Sequence, residues 1–151
     1  MDWAFDQALK NRAILKLFLE NYSLEELNKI PNGFSNNIIW NIAHTIVTQQ
    51  LLVYNLSRLP TMASSEMIEM YRKGTKPERD VTQAEVEKIE ELLFPTIEKT
   101  KQDYHNKMFK TFTEYTVSIK SVLTNVDEAI GFNSFHEGIH LGYILALKKS
   151  L

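Results

Sequence analysis

Apolar residues recur at three- and four-residue steps along most of the chain, the period of an amphipathic helix. From Trp3 to Tyr22 they alternate with charged residues at this spacing, which predicts a first helix. Ser23 and Glu26 have the spacing of a capping box, so a short helical turn is expected to follow. A second helix is predicted from Asn36 to about Leu59, with Ser35 as its N-cap and Pro60 just beyond its end.

The second predicted helix carries an apolar stripe that includes a histidine. Its members follow one another at steps of 4, 3, 4 and 3: Trp40, His44, Val47, Leu51 and Tyr54. Because this spacing keeps side chains on one helical face, His44 is expected to point toward the core.

The second half of the chain predicts two further long helices. One begins after the Thr82–Glu85 capping box and runs to about Asn106, with a kink expected at Pro95. A shorter helix over Glu66–Lys73 precedes it, and Thr111–Ile119 is rich in residues that favour extended structure. The last helix starts after Thr124 and ends near Lys149, and its three glycines, Gly131, Gly138 and Gly142, predict close backbone packing.

Four long helices with short early loops predict an all-α bundle in one domain, residues 1–151. The chain has no cysteine, which excludes disulfides, zinc–thiolate sites and a cysteine nucleophile. A net charge of −2 with mixed signs gives no reason to expect a nucleic-acid or membrane partner. The N-terminus does not have the pattern of a signal peptide, so a cytoplasmic protein is expected.

The four histidines carry the candidate chemistry. His136 and His140 are four residues apart, which on a helix places them about 40° apart and about 6 Å along the axis. Two such imidazoles can share one metal ion, and His44 on another inward face is the candidate third ligand. His105 lies in a polar stretch and is expected to be exposed.

Each of these histidines has a plainer interpretation as a hydrogen-bonded core residue. Three inward-facing imidazoles without a shared partner would, however, leave polar atoms unsatisfied, which favours the metal site. His136 to His140 also reads H-E-x-x-H, the motif of zinc proteases. No His, Glu or Asp follows His140 to act as the usual third ligand, so a protease is disfavoured.

Two segments resemble the DinB-like (DinB/YfiT) superfamily. Gly33-Phe-Ser-Asn-Asn-Ile-Ile-Trp-Asn-Ile-Ala-His44 resembles its second helix, and Phe135-His-Glu-Gly-Ile-His-Leu-Gly-Tyr143 resembles its last helix. The resemblance implies an up-down-down-up four-helix bundle, often a homodimer. It also implies one divalent metal held by His44, His136 and His140, with zinc or nickel ahead of iron or manganese, and chemistry that in characterised relatives uses a small-molecule thiol.

Two functions remain open at the level of sequence. One is a metal-dependent transferase or hydrolase acting on a small-molecule substrate, with Glu137 as a candidate general base. The alternative for Glu137 is a solvated helix residue or a hydrogen-bond partner of a metal ligand. The other is a metal-stabilised, stress-linked binding protein without catalytic activity. The segment Pro60–Pro77 is a candidate lid over one end of the bundle. Four more residues are candidates for the pocket wall, although as aromatic and apolar residues they fit the core at least as well: Trp40, Tyr54, Met62 and Tyr143.

Overall fold

The computed structural model describes residues 1–151, and helices dominate it. The helices are α1 (Asp2–Asn21), α2 (Leu24–Asn28), α3 (Ile38–Gln50), α4 (Ser65–Tyr71), α5 (Gln83–Leu92), α6 (Pro95–His105) and α7 (Val126–Lys148). A π-helical segment, Leu51–Asn55, continues α3, and two short antiparallel strands, β1 (Tyr115–Thr116) and β2 (Val122–Leu123), pair between α6 and α7. No helix is both long enough and apolar enough to cross a membrane.

The capping signals in the sequence are confirmed, with local shifts in two helix starts. Both capping boxes form, at Ser23 and at Thr82. The second long helix begins two residues later than expected, because Asn37 rather than Ser35 caps it and accepts a hydrogen bond from the Trp40 amide. The last helix is capped in the same way by Asn125.

Three expectations about helix geometry need correction. The second long helix does not continue regularly to Leu59 but changes to π-helical structure at Leu51 and ends by Asn55. The third helix is divided at Pro95 rather than kinked, since proline lacks an amide hydrogen and begins α6 at its first position. The glycines of α7 are not close packing points, because a Cβ atom added at any of them would meet nothing within 4 Å.

The expected extended segment over Thr111–Ile119 is confirmed only in part, since the strand within it comprises two residues, Tyr115–Thr116. The short hairpin therefore adds a small sheet to the all-α fold that the periodicity predicted. The hairpin is anchored by Val117 and Leu123, which are buried with residues of α1, α7 and the π-helical segment.

The helix α7 packs against both α1 and α3, and its two contact faces are chemically different. Toward α1 it presents Glu137, whose carboxylate forms an ion pair with Arg12. The Arg12 Nη2 to Glu137 Oε1 distance is 2.6 Å, and the two side chains are 0% and 1% exposed. Asn11 and Asn133 donate further hydrogen bonds to the same carboxylate. This buried network fixes the rotation of α7 about its axis relative to α1.

Replacing Glu137 with leucine is expected to destabilise the protein by about 3–5 kcal/mol, because Arg12 would remain buried without its counter-charge. Urea unfolding measures this free energy. The matched change Glu91→Leu, at an exposed glutamate, is expected to stay within about 0.5 kcal/mol of the unmodified protein. Adding Arg12→Met to Glu137→Leu should restore part of the loss. Equal, small effects of the two leucine substitutions would contradict the importance of the ion pair.

Candidate metal centre

Three histidines from two helices meet beside the core. His44 comes from α3, and His136 and His140 come from successive turns of α7. One ring nitrogen of each lies within 4.8 Å of the corresponding nitrogens of the other two. The ring centroids are 4.5 Å apart for His136 and His140, and 4.6 and 5.1 Å from His44 to His140 and His136. The sequence prediction that these three side chains converge is therefore correct.

The hydrogen bonds of His44 decide which of its nitrogens carries the proton. Its Nδ1 lies 2.6 Å from the backbone carbonyl oxygen of Tyr71. Because a carbonyl only accepts, Nδ1 must donate, and the lone pair of the neutral ring is left on Nε2. Trp40 stacks on the same ring with a centroid distance of 4.6 Å and an interplanar angle of 11°. The orientation of His44 is thus fixed by a hydrogen bond at its edge and an indole on its face.

Asn41 fixes His140 in an equivalent way. Its side-chain nitrogen donates to Asn36 Oδ1 at 2.9 Å and to the Asn37 carbonyl at 2.8 Å. These two bonds orient the amide so that its oxygen faces His140 Nδ1, at 2.8 Å. His140 therefore donates from Nδ1 and keeps its lone pair on Nε2, the tautomer that a metal ligand needs.

His136 differs from the other two because its Nδ1 is buried without any hydrogen-bond partner in the protein. Buried polar atoms are rarely left unpaired, and each exception calls for an explanation. A metal ion held among the three rings would give His136 a partner for one ring nitrogen, since zinc–nitrogen bonds of about 2.0–2.1 Å would draw together nitrogens that lie within 4.8 Å of one another. The donor set therefore fits a divalent ion with nitrogen ligands.

The electrostatic setting keeps all three rings neutral. Burial lowers the pKa of His44, against a smaller opposing effect of its bond to the Tyr71 carbonyl. Burial, with the nearby His44 and Arg12 charges, lowers the pKa of His136 to about 4. Burial, with the charges of His136 and His44, lowers the pKa of His140 to about 3. Neutral imidazoles are the form in which histidine binds metals.

A cavity of about 450 Å³ opens next to the three rings. One wall comes from α3 and its π-helical continuation, a second from α7, and a third from the hairpin region. The residues of these walls include Thr48, Leu51, Leu52, Asn55, Leu56, Tyr115, Val117, Ser118, Ile119, Phe132, Phe135 and Ile139. Lys73 from the loop after α4 completes the lining.

None of the four residues considered for the pocket wall lines this cavity. Trp40 contacts His44 from the core side, Tyr54 donates a hydrogen bond to Asp103, and Tyr143 packs on Phe34. Met62 is engaged through its backbone amide with Gln50. The alternative assignment of the aromatic residues to the core is therefore the better one, and it holds even for Trp40.

The structure separates Glu137 from the three imidazoles. A step of one residue turns a helix by about 100°, so Glu137 faces α1 while His136 faces α3. Both carboxylate oxygens are already bonded to Arg12, and the side chain is 1% exposed. The interpretation of Glu137 as a solvated helix residue is therefore wrong, because its carboxylate is held in the core by Arg12. His105, as expected, is exposed, and it contacts Asp2.

Several residues of the site carried no sequence signal. The Tyr71 carbonyl and Lys73 come from the segment Pro60–Pro77, so that segment does adjoin the site. Asn41 was detectable in principle, since it precedes His44 by three residues on one helical face. The cavity wall formed by the hairpin was not detectable. Its contact with α7 and the π-helical segment depends on how the long connection between α6 and α7 folds against the helices.

Comparison of the sequence with protein families gives a match. The sequence model of the DinB superfamily matches residues 7–144, which include all three histidines. No curated protein matches the chain.

The metal-free protein is expected to lose stability as the pH falls from 6.5 to 5. In the unfolded chain the imidazoles take up protons near their ordinary pKa of 6.5, whereas pKa values of about 4 and about 3 keep the folded His136 and His140 rings neutral over this range. Below pH 6.5 the unfolded state therefore binds more protons and is favoured. Urea unfolding of chelator-treated protein at pH 7, 6 and 5 measures the effect.

Two variants show whether the buried rings cause this pH dependence. His105→Ala removes an exposed histidine and should leave the loss of stability between pH 7 and 5 unchanged. His136→Asn should reduce it. The lowered pKa of Glu85, about 2, acts below this window and does not contribute. A stability that is constant from pH 7 to 5 in the metal-free protein would contradict the lowered pKa values.

Proposed function

The chain belongs to the DinB superfamily, and we propose that it binds one divalent metal ion through His44, His136 and His140 for chemistry on a small-molecule substrate. The observation that carries the proposal is the convergence of three neutral imidazoles, two of which, His44 and His140, are oriented by hydrogen bonds to Tyr71 and Asn41. Zinc and nickel suit such a set of nitrogen donors best, with iron and manganese as further candidates.

The reaction class that this site supports is group transfer or hydrolysis. A divalent ion held by neutral imidazoles supplies a Lewis acid, which activates a nucleophile or polarises a carbonyl group. The chain contributes no cysteine, so a thiol nucleophile would have to come from a small-molecule cofactor. The cavity beside the rings offers space for a compact substrate.

The chain's own residues have defined tasks in this proposal. Tyr71 and Asn41 hold the protons of two rings on Nδ1, which leaves Nε2 free to bind. The Thr48 hydroxyl lies 3.3 Å from His44 Nε2, within reach of a hydrogen bond to that nitrogen. Glu137 acts as a positioning residue, since its ion pair with Arg12 sets the rotation of α7 that aims His136 and His140.

We predict about one divalent ion per chain in the purified protein, measured by elemental analysis. His140→Ala should remove most of it, because two imidazoles bind far more weakly than three. Asn41→Leu should lower the affinity by about 10- to 100-fold, the usual effect of removing the partner that orients a ligand. His105→Ala should retain the full metal content. Unchanged stoichiometry and affinity in His140→Ala would refute the site.

We expect metal-dependent turnover in a panel of thiol-conjugation, isomerisation and hydrolysis assays. Protein reconstituted with zinc or nickel should be active, and His44→Ala should not be, since it lacks one of the three proposed ligands. His105→Ala serves as the active control. Absence of turnover in the loaded protein, or equal activity in His44→Ala, would favour the alternative of a metal-stabilised binding protein.

A homodimer is part of the proposal. Large apolar side chains are exposed on two neighbouring helices: Ile14 and Leu17 on α1 and Leu145 on α7 are 42%, 54% and 43% exposed. We predict that light scattering gives twice the 17.5 kDa mass of the chain. Leu17→Glu should shift the protein toward monomer, whereas Ile119→Glu, an equally exposed position in the hairpin region, should not. A monomer at micromolar concentration would rule the dimer out.

A further inference from the structure

The cavity beside the three histidines is apolar over most of its wall. Aliphatic and aromatic side chains from three directions line it, among them Leu52, Leu56, Phe132 and Phe135. Two residues at its edge, Phe135 and Ile139, remain 50% and 49% exposed although they are large and apolar. Exposed apolar surface that rims a concave site is typical of a site for an apolar ligand.

A local distortion of the backbone shapes this cavity. The α3 helix changes to π-helical geometry at Leu51, where the Leu56 amide bonds to the carbonyl of Leu51 at 3.2 Å. The distorted turn supplies Leu51, Leu52 and Asn55 to the wall. Single π-helical turns inside α-helices are rare and occur frequently at functional sites. The π-helical turn begins about one helical turn after Thr48. This part of the cavity wall therefore follows His44 and Thr48 along the same helix.

The charge in the cavity has one sign. Since the three histidines are neutral, Lys73 is the only charged side chain in the lining, and no acidic residue lines the space. The neighbouring cations Arg72 and Arg79 are paired with Glu69 and Glu85, whereas Lys73 forms no ion pair within the chain. An unpaired ammonium group at the edge of an apolar cavity favours a ligand that carries a negative charge.

We propose that this cavity takes amphipathic anions, molecules with an aliphatic or aromatic body that packs on Leu52, Phe132 and Phe135 and one anionic group that binds Lys73. This inference deepens the proposed function, since it names the substrate class of the same site. The body occupies the space between the π-helical segment and α7, and the anionic group lies at the edge formed by the loop after α4. Small hydrophilic molecules and amphipathic cations are excluded by the same features.

The test uses alkyl sulfonates, because a sulfonate is a poor metal ligand and therefore reports on Lys73. Calorimetry on the metal-loaded protein compares octanesulfonate with 1-octanol and with butanesulfonate. We expect octanesulfonate to bind about fivefold more tightly than 1-octanol, the upper range for an ion pair near solvent. It should exceed butanesulfonate by about two- to fourfold per methylene group. Equal binding of all three probes would overturn the proposal.

Two lysine variants give a matched comparison. Lys73→Met should abolish the preference for octanesulfonate over 1-octanol, whereas Lys76→Met, three residues along and outside this cavity, should retain it. A preference that survives Lys73→Met, or that is lost equally in both variants, would overturn the assignment of Lys73. Phe135→Ser should weaken the dependence on chain length while the sulfonate preference remains, and a chain-length dependence unaffected by it would contradict the apolar wall.

The failure of this inference can be told apart from the failure of the proposed function by measuring metal content in the same samples. If the protein retains one metal per chain but binds the three probes equally, the metal site stands and the proposed substrate class is wrong. If the protein binds octanesulfonate selectively but holds no metal, and His140→Ala leaves this binding unchanged, the anion site stands and the proposed metal centre is wrong.

Discussion

The α7 helix buries polar groups on two of its sides. The ion pair and hydrogen bonds that these groups form determine how α7 packs against α1 and α3. On the α1 side, Glu137 and Arg12 neutralise one another, and two asparagines complete the hydrogen bonding of the carboxylate. On the α3 side, His140 donates a hydrogen bond to the Asn41 side-chain oxygen, and His44 donates one to the Tyr71 carbonyl. Leaving any of these groups unpaired would cost about 1–3 kcal/mol, and more for the charges. Both sets of bonds hold α7 at one rotation.

That rotation links folding to function. A turn of α7 that broke the Arg12–Glu137 pair would also move His136 and His140 away from His44, since all three side chains of α7 belong to one rigid helix. The buried ion pair contributes little net stability by itself, because desolvation offsets most of its attraction. Its value here is specificity of packing, as it excludes other rotations of the helix. Among the three histidines only His136 has an Nδ1 without a partner in the protein, and Asn133 Oδ1 on the same helix is also unpaired.

The cavity shows how packed helices and a short hairpin can together enclose a site. Two of its walls are faces of helices that the core already requires, and the hairpin supplies the third. The π-helical turn that begins at Leu51 continues α3 beyond His44 and supplies Leu51, Leu52 and Asn55 to the wall. The three histidines, the apolar wall and Lys73 therefore lie around one space, although they come from four separate parts of the chain.

The sequence by itself determined the helical class, the capping boxes at Ser23 and Thr82, and the convergence of His44, His136 and His140. The capping boxes and the common face of His136 and His140 depend on spacing within a helix, which the 3.6-residue period fixes locally. The meeting of His44 with this pair was predicted from its inward-facing stripe and from the family resemblance. Tertiary structure alone decided that Glu137 pairs with Arg12, 125 positions earlier in the chain, and that Trp40 backs His44 instead of lining the cavity. It also decided the π-helical turn, the break at Pro95 and the contribution of Lys73. Helical periodicity tells which residues share a face, but the partner of that face is set by packing between distant segments, for which a single sequence has no local pattern.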